Sequence, residues 1–179
     1  MFKNNHYLVV TMRPVEDLIE QYAKEENYDV LYVTEEDHVV NAVSACNLSD
    51  DVKFFLWNTE YVNALSNLYN YNPSLVDKFI QFTILHEDGH AMVDKNKLDL
   101  VGYEANAELY AVSRWQGDPL EGITIGLAER LFYGKSRGYY ELRDLKKEKI
   151  KEKIIDKYCL WMREDLKMKT IDRALELIE

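Results

Sequence analysis

The chain has 179 residues and a mass of 21.1 kDa, with 47% hydrophobic and 30% charged residues. This composition is typical of one domain with a hydrophobic core and excludes a largely disordered chain. No apolar run approaches the roughly 20 residues that cross a bilayer, and the run near the N-terminus is too short for a secretory signal, so we expect a cytoplasmic protein with no membrane partner. The net charge of −10 argues against nucleic acid as a partner. The two cysteines, Cys46 and Cys159, are predicted to be reduced thiols.

The first third of the chain is predicted to contain both helix and strand. Residues 28–33 and 52–57 are rich in β-branched and aromatic residues and predict two strands, and residues 7–11 predict a weaker one. Between the weak strand and the first clear one, apolar residues recur at helical spacing over 14–26 and predict a helix. These segments indicate a small sheet near the N-terminus.

The clearest helix signal begins at Asn72 and Pro73, because Asn is a favoured N-cap and Pro suits the first helical position. Apolar residues and two histidines then recur every three or four positions, which places them on one stripe of the helix. The members of this stripe are Leu75, Phe79, Phe82, His86, His90 and Val93. The sequence therefore predicts a long helix that carries both histidines.

Helices are also predicted for the remainder of the chain. A helix over about 102–115 contains Ala107 and Ala111, whose small side chains allow a neighbouring helix to approach closely. Two or three further helices are expected to begin near Pro119, Arg143 and Lys169. The overall prediction is an α+β fold that is mostly helical, with a small N-terminal sheet.

Residues 86–90 contain the pattern H-E-x-x-H, formed by His86, Glu87 and His90. Residues four positions apart lie on the same face of a helix, so both imidazoles can bind one metal ion. Glu87 can contact a water on that metal without being a ligand. The alternative is a pair of packed core histidines, but two buried and unpaired imidazoles would cost several kcal/mol. The spacing therefore favours a zinc site with one position open for water.

The third protein ligand distinguishes the classes of H-E-x-x-H proteins. A metzincin-like extension needs Gly and His where this chain has Val93 and Asn96, so that class is excluded. The next predicted helix offers Glu104 and Glu108, which share a face. Glu104 can complete the metal site, and Glu108 can accept the outer N–H of a ligand histidine and so determine its tautomer. The alternative is that both glutamates are ordinary residues on a solvated helix face.

The stretch 82–111 resembles the ImmA/IrrE family of zinc metallopeptidases. Members carry H-E-x-G-H on one helix and E-x-x-A-(N/D)-x-F-A on the next. The corresponding segments of this chain are His86-Glu87-Asp88-Gly89-His90 and Glu104-x-x-Ala107-Glu108-x-Tyr110-Ala111. Two positions depart from the family pattern. Glu108 stands where the family prefers Asn or Asp, and Asp88 stands where an apolar residue is usual.

The resemblance covers about 13–115, which we interpret as the zincin-like core of a single domain over 1–179, with a helical extension over about 116–179. It implies an active-site helix that carries both histidines, a second helix that supplies Glu104 as the third ligand of one zinc ion, and Glu87 as the catalytic base. Family members cut or regulate repressors in mobile elements, phages and stress responses. The resemblance therefore implies a regulatory protein, such as a repressor, as the substrate.

The expected mechanism is hydrolysis of a peptide bond. Zinc lowers the pKa of its bound water towards neutrality and polarises the scissile carbonyl, and Glu87 takes the water proton and passes it to the leaving amine. The oxyanion needs an electropositive group, which the sequence does not single out. Tyr103 and Tyr110 are close to the site in sequence but are expected to be packing residues, and His6 and His38 are expected on the surface.

Two other functions remain open from the sequence. A peptide-deformylase-like hydrolase would use Cys46 as a metal ligand, although a buried structural thiol is the expected role of that cysteine. A non-catalytic metal-containing regulatory protein would act through its C-terminal helices, where 143–157 carries a net positive charge. Glu87 favours an enzyme, because a purely structural metal site has no need of a general base.

Overall fold

The computed structural model describes residues 13–34, 42–49, 51–92, 100–147, 149–153 and 162–179. Its helices are α1 (Pro14–Glu25), α2 (Thr59–Tyr69), α3 (Pro73–Ala91), α4 (Leu100–Arg114), α5 (Pro119–Ser136), α6 (Leu142–Leu145) and α7 (Glu164–Ile178). Its strands are β1 (Asp29–Val33), β2 (Val43–Ser49) and β3 (Val52–Asn58). Most of the described chain is helical and the small sheet precedes α2, which confirms the predicted α+β class.

The sheet is mixed, with strand order β1-β3-β2. Strand β1 runs parallel to β3, and β2 runs antiparallel to it with Ala45 opposite Phe55. The predicted strands at 28–33 and 52–57 correspond to β1 and β3, whereas β2 was not predicted. Its residues after Val43 are half-buried or exposed, so they lack the apolar alternation that indicates a strand. The weak strand predicted at 7–11 lies outside the described residues.

Helix α3 lies at the centre of the fold. The Asn72 side chain accepts a hydrogen bond from the backbone N–H of Leu75, and Pro73 occupies the first turn, as predicted for this N-terminus. The helix packs against α1, α2, α4, α5 and β2. Its buried residues include Val76 and Ile80, which lie outside the predicted stripe, because a helix enclosed by other elements buries more than one face. Val93 lies outside the described residues.

Local signals located most of the remaining helices. Helix α5 begins at Pro119 as predicted, with the Asp118 side chain capping it. Helix α7 begins at Glu164, earlier than the predicted start near Lys169. Helix α2 was not predicted, although Asn58 caps it through hydrogen bonds from the next residues. Its N-cap directly follows β3, without an intervening turn that would mark a boundary.

One buried apolar cluster includes residues from each of the seven helices named above and extends into the C-terminal region. Helix α4 contributes Ala111, in its second half. Ile171 and Ala174 of α7 belong to the same cluster as Leu131 of α5 and Phe79 of α3. The C-terminal helix therefore contributes to the core around α3. Within the described ranges, no helix combines the length and the apolar character needed to cross a membrane.

Candidate metal centre

Helices α3 and α4 meet with their backbones in close contact at Gly89. A Cβ atom at this glycine would lie 2.9 Å from Cα of Ala107 and 3.1 Å from Cβ of Tyr110. Ala107 is fully buried, and its small side chain permits the approach, as the sequence predicted. The contact places the face of α4 that carries Glu104 and Glu108 beside the histidines of α3.

His86, His90 and Glu104 form a group that could hold a metal ion. Nε2 of His86 lies 3.4 Å from Oε2 of Glu104, and Nε2 of His90 lies 3.5 Å from Oε1 of the same carboxylate. One ligand atom from each residue lies within 4.8 Å of the other two. The H-E-x-x-H helix and the following helix therefore bring two imidazole nitrogens and one carboxylate together.

The centre is buried on the histidine side and open at the glutamate. The side chains of His86 and His90 are 10% and 11% exposed, whereas that of Glu104 is 43% exposed. Nδ1 of His90 is buried and has no hydrogen-bond partner within the described part of the chain. The ring of Tyr103 stacks on His90 at 4.2 Å between centroids, and its hydroxyl donates to the backbone oxygen of His90 at 3.2 Å. Tyr103 therefore packs against a candidate ligand and restricts its ring.

Glu108 contacts the nitrogen of His86 that faces away from Glu104. Its Oε2 lies 3.1 Å from Nδ1 of His86 and accepts a hydrogen bond from Nη2 of Arg130 at 2.8 Å. The Glu108 side chain is only 7% exposed. Burial raises the pKa of Glu108, but Arg130 and His86 outweigh that effect and hold its pKa below the ordinary value. The carboxylate is thus ionised and in position to determine which nitrogen of His86 carries the proton.

Arg130 of α5 is a member of the site that sequence reasoning missed. Its Nη2 lies 3.3 Å from Nε2 of His86 and 3.7 Å from Oε2 of Glu104. Helix α5 approaches closely because Gly126 has no side chain, and a Cβ there would lie 2.9 Å from Oε1 of Glu108. No motif surrounds Arg130, so only the packing of α5 reveals its position.

The carboxylates make the centre attractive to a cation. Burial and Arg130 lower the pKa of His86, yet hydrogen bonds with Glu104 and Glu108 raise it to about 9. Burial raises the pKa of Glu104, but its hydrogen bonds with His86 and His90 lower it well below the ordinary value. Two ionised carboxylates therefore flank the same imidazole, an arrangement that favours a bound positive charge.

Glu87 is a half-buried residue of α3, and its side chain points towards the sheet. Burial raises the pKa of its carboxyl group, although the nearby histidines and a hydrogen bond from the backbone N–H of Ala45 act in the opposite direction. Strand β2 therefore supplies a donor that orients this carboxyl group. The side chain is close enough to His86, His90 and Glu104 to interact electrostatically with all three.

Asp88 is buried and accepts several hydrogen bonds. It accepts from the hydroxyl of Tyr28 at 2.9 Å, from that of Tyr110 at 2.6 Å and from Nη1 of Arg114 at 3.3 Å. Arg114 also pairs with both carboxylate oxygens of Glu26. Asp88 thus links α3 to α4 and to the segment before β1, which explains a polar residue at this buried position.

The other candidate ligands take no part in the described site. Cys46 lies on β2 as a free, half-buried thiol and is not a member of the His-His-Glu group. This placement gives no support to the peptide-deformylase alternative. His6, His38 and Cys159 lie outside the described residues.

The donor set fits a divalent transition metal. Two imidazole nitrogens and one carboxylate oxygen are ligands that Zn²⁺ accepts, and three protein ligands leave a coordination position open. No protein-family model, curated protein or solved structure matches the chain. Any assignment of function therefore depends on the site itself.

Proposed function

We propose that the protein is a zinc-dependent metallopeptidase that hydrolyses a peptide bond in a protein substrate. The observation that carries the proposal is the convergence of His86, His90 and Glu104 from two helices, with Glu87 on the same helix as the histidines. A purely structural zinc site usually has four protein ligands, whereas a catalytic site has three and an open position. The three candidate ligands found among the described residues support catalysis.

Three side chains would hold the metal, and a fourth would orient one of the ligand histidines. His86, His90 and Glu104 supply the ligand atoms, and Glu108 accepts a hydrogen bond from Nδ1 of His86, which leaves Nε2 of that ring for the metal. When bound, zinc makes a water molecule acidic near neutral pH and polarises the carbonyl group that the water attacks.

Glu87 moves the proton in this mechanism. The water oxygen forms a bond to the carbonyl carbon, and the π pair of the carbonyl group moves onto its oxygen. Glu87 takes a proton from the water and delivers it to the leaving nitrogen when the C–N bond breaks. The π bond then re-forms, and the products are a carboxylic acid, which keeps the second water proton, and an amine. Burial raises the pKa of Glu87, which makes its carboxylate a stronger proton acceptor than that of an exposed glutamate.

The substrate belongs to the proposal and follows from the resemblance stated above. Proteins of the ImmA/IrrE family act on regulators, so transcription regulators encoded near the gene are the first substrates to test. The exposed side of Glu104 offers a route by which a polypeptide reaches the centre.

Metal analysis and a cleavage assay test the proposal together. Purified protein reconstituted with Zn²⁺ is expected to contain about one zinc per chain. It is also expected to cleave one of the transcription regulators encoded near the gene. His86→Ala should lose the metal and the cleavage, because it removes a ligand. Glu87→Gln should keep the metal and the fold but lose cleavage, because an amide cannot take the proton.

Glu121→Gln is the matched control, since Glu121 pairs with Lys78 instead of the centre. It should resemble the wild type in metal content and cleavage. Wild-type protein that binds no zinc, or a Glu87→Gln variant that cleaves as fast as the wild type, would overturn the proposal. A Glu87→Gln variant that does not cleave the regulator but still changes its activity in the cell would instead support the non-catalytic regulatory role.

A further inference from the structure

Arg130 places a positive charge inside the candidate metal centre that the mechanism above does not use. Its Nη2 is within 4 Å of Nε2 of His86 and of Oε2 of Glu104, and its side chain is only 17% exposed. We infer that Arg130 binds the carbonyl oxygen of the scissile peptide bond and stabilises the negative charge that develops there. This inference rests on the proposed function.

The reaction needs such a donor because charge builds on one atom. When the water oxygen adds to the carbonyl carbon, the π pair moves to the carbonyl oxygen, which becomes anionic. A charged N–H donor held in a poorly solvated site stabilises that oxygen more than it stabilises the neutral carbonyl of the substrate. The guanidinium of Arg130 stays protonated throughout the pH range in which proteins work, so it acts as a donor and not as an acid.

Other donors near the centre are directed at other groups. The hydroxyl of Tyr103 donates to the backbone oxygen of His90, and that of Tyr110 donates to Asp88. Arg114 pairs with Glu26 and Asp88. Among the lysine and arginine ion pairs of the described chain, those of Arg130 are the ones that reach Glu104 and Glu108.

Glu108 explains how a guanidinium is tolerated beside a metal site. The hydrogen bond of 2.8 Å between Arg130 and Glu108 pairs the positive charge with a buried carboxylate. The pair is neutral overall, which reduces the repulsion between Arg130 and a bound cation. The same bond holds the guanidinium in place before substrate arrives, and this preorganisation is what electrostatic stabilisation requires. The extension after residue 115 thereby gains a role, because α5 delivers Arg130 to the centre.

The test measures binding of a tetrahedral anion, so that it does not depend on turnover. The probe is N-phosphoryl-Leu-Trp, whose phosphoryl oxygens imitate the anionic oxygen of the tetrahedral intermediate. Its dissociation constant for zinc-loaded protein is measured by isothermal titration calorimetry. Arg130→Gln should weaken binding at least about tenfold at unchanged zinc content, and Arg130→Lys, which retains the charge, should lie between it and the wild type.

Arg137→Gln is the matched control, because Arg137 directly follows the same helix but pairs with Glu60 at 2.6 Å. It should bind the probe like the wild type. With a cleavable regulator, Arg130→Gln should also lower kcat about 10²–10³-fold with little change in KM, since the lost bond is strongest in the transition state.

Several outcomes would overturn the inference. The first is equal binding of the probe by the wild type and Arg130→Gln at equal zinc content, and the second is no binding of the probe by the zinc-loaded wild type. The third is loss of zinc from Arg130→Gln, which would show that Arg130 supports the metal ligands instead of binding the substrate. If circular dichroism shows that Arg130→Gln does not fold, Arg130→Lys decides the matter by the same criteria. The proposed function fails separately, when the wild-type protein binds no zinc or when His86→Ala binds as much zinc as the wild type.

Discussion

At the scale of single residues, the contact between Glu108 and His86 should affect how tightly the metal is bound. Removing a carboxylate that orients a ligand histidine costs about 10–100-fold in metal affinity. We expect a loss of this size for Glu108→Gln, because the amide lacks the negative charge that holds the proton on Nδ1 of His86 and balances Arg130. Competition with a chromophoric chelator measures the affinity for Zn²⁺. Glu121→Gln serves as the control, and an unchanged affinity in Glu108→Gln would exclude this role.

A second prediction at this scale concerns Glu129, which neighbours Arg130 in sequence. Glu129 is buried and accepts a hydrogen bond from the hydroxyl of Tyr61, and burial raises its pKa. The folded state therefore binds this proton more tightly than the unfolded state does. Its contribution to stability is fully present below the ordinary carboxyl pKa and is lost as the pH rises through the raised pKa.

Glu129→Gln isolates that contribution, because its amide oxygen can still accept the Tyr61 hydrogen bond. We expect the free energy of unfolding of the variant, relative to the wild type, to be greater at pH 8 than at pH 5. Urea denaturation in the presence of a metal chelator provides the measurement at both pH values. A difference between the two proteins that does not change with pH would show that folding does not raise the pKa of Glu129.

At the scale of elements, the metal ligands depend on how closely α3 and α4 approach. A Cβ at Gly89 would press on the backbone of Ala107, so Gly89→Ala must move one helix. Overpacking costs about 1–3 kcal/mol, and the better helix propensity of alanine offsets about 1 kcal/mol of that. We expect a net loss of stability together with weaker zinc binding, because Glu104 moves away from the histidines.

Thermal melts and zinc titration of Gly89→Ala provide the measurement. Asn106→Ala is the control on the exposed face of α4. It should leave zinc affinity near that of the wild type. Wild-type zinc affinity in Gly89→Ala would mean that the spacing of the two helices does not control the centre.

At the scale of the whole molecule, the proposed metal should stabilise the fold. The ligands lie on two different helices, so a bound ion is held by the folded chain and much less by the unfolded one. A free zinc concentration of 100 times the dissociation constant adds about 2.7 kcal/mol to the free energy of unfolding. For a chain of this size, that corresponds to a rise in Tm of about 5–10 °C.

Differential scanning calorimetry with zinc and with a chelator checks this expectation. His86→Ala should melt at the same temperature in both conditions, because it lacks a ligand. Equal values of Tm for the wild type with and without zinc would contradict a site that joins α3 to α4.

The parts of the fold that carried local signals were predictable. Asn72 and Pro73 mark the start of α3, and Pro119 marks the start of α5, because caps and prolines act within one turn. Strand β2 and helix α2 were missed. The strand is recognisable only through its pairing with β3, and the helix follows β3 without a break.

The same distinction holds for the candidate site. The sequence alone determined that His86 and His90 share a helix face with Glu87 beside them, because helical periodicity is a property of neighbouring residues. Only the tertiary structure decided that Glu104 faces both imidazoles, that Glu108 contacts the far side of His86 and that Arg130 joins them. These contacts depend on how closely α4 and α5 pack against α3, and such packing arises from residues that are distant in sequence.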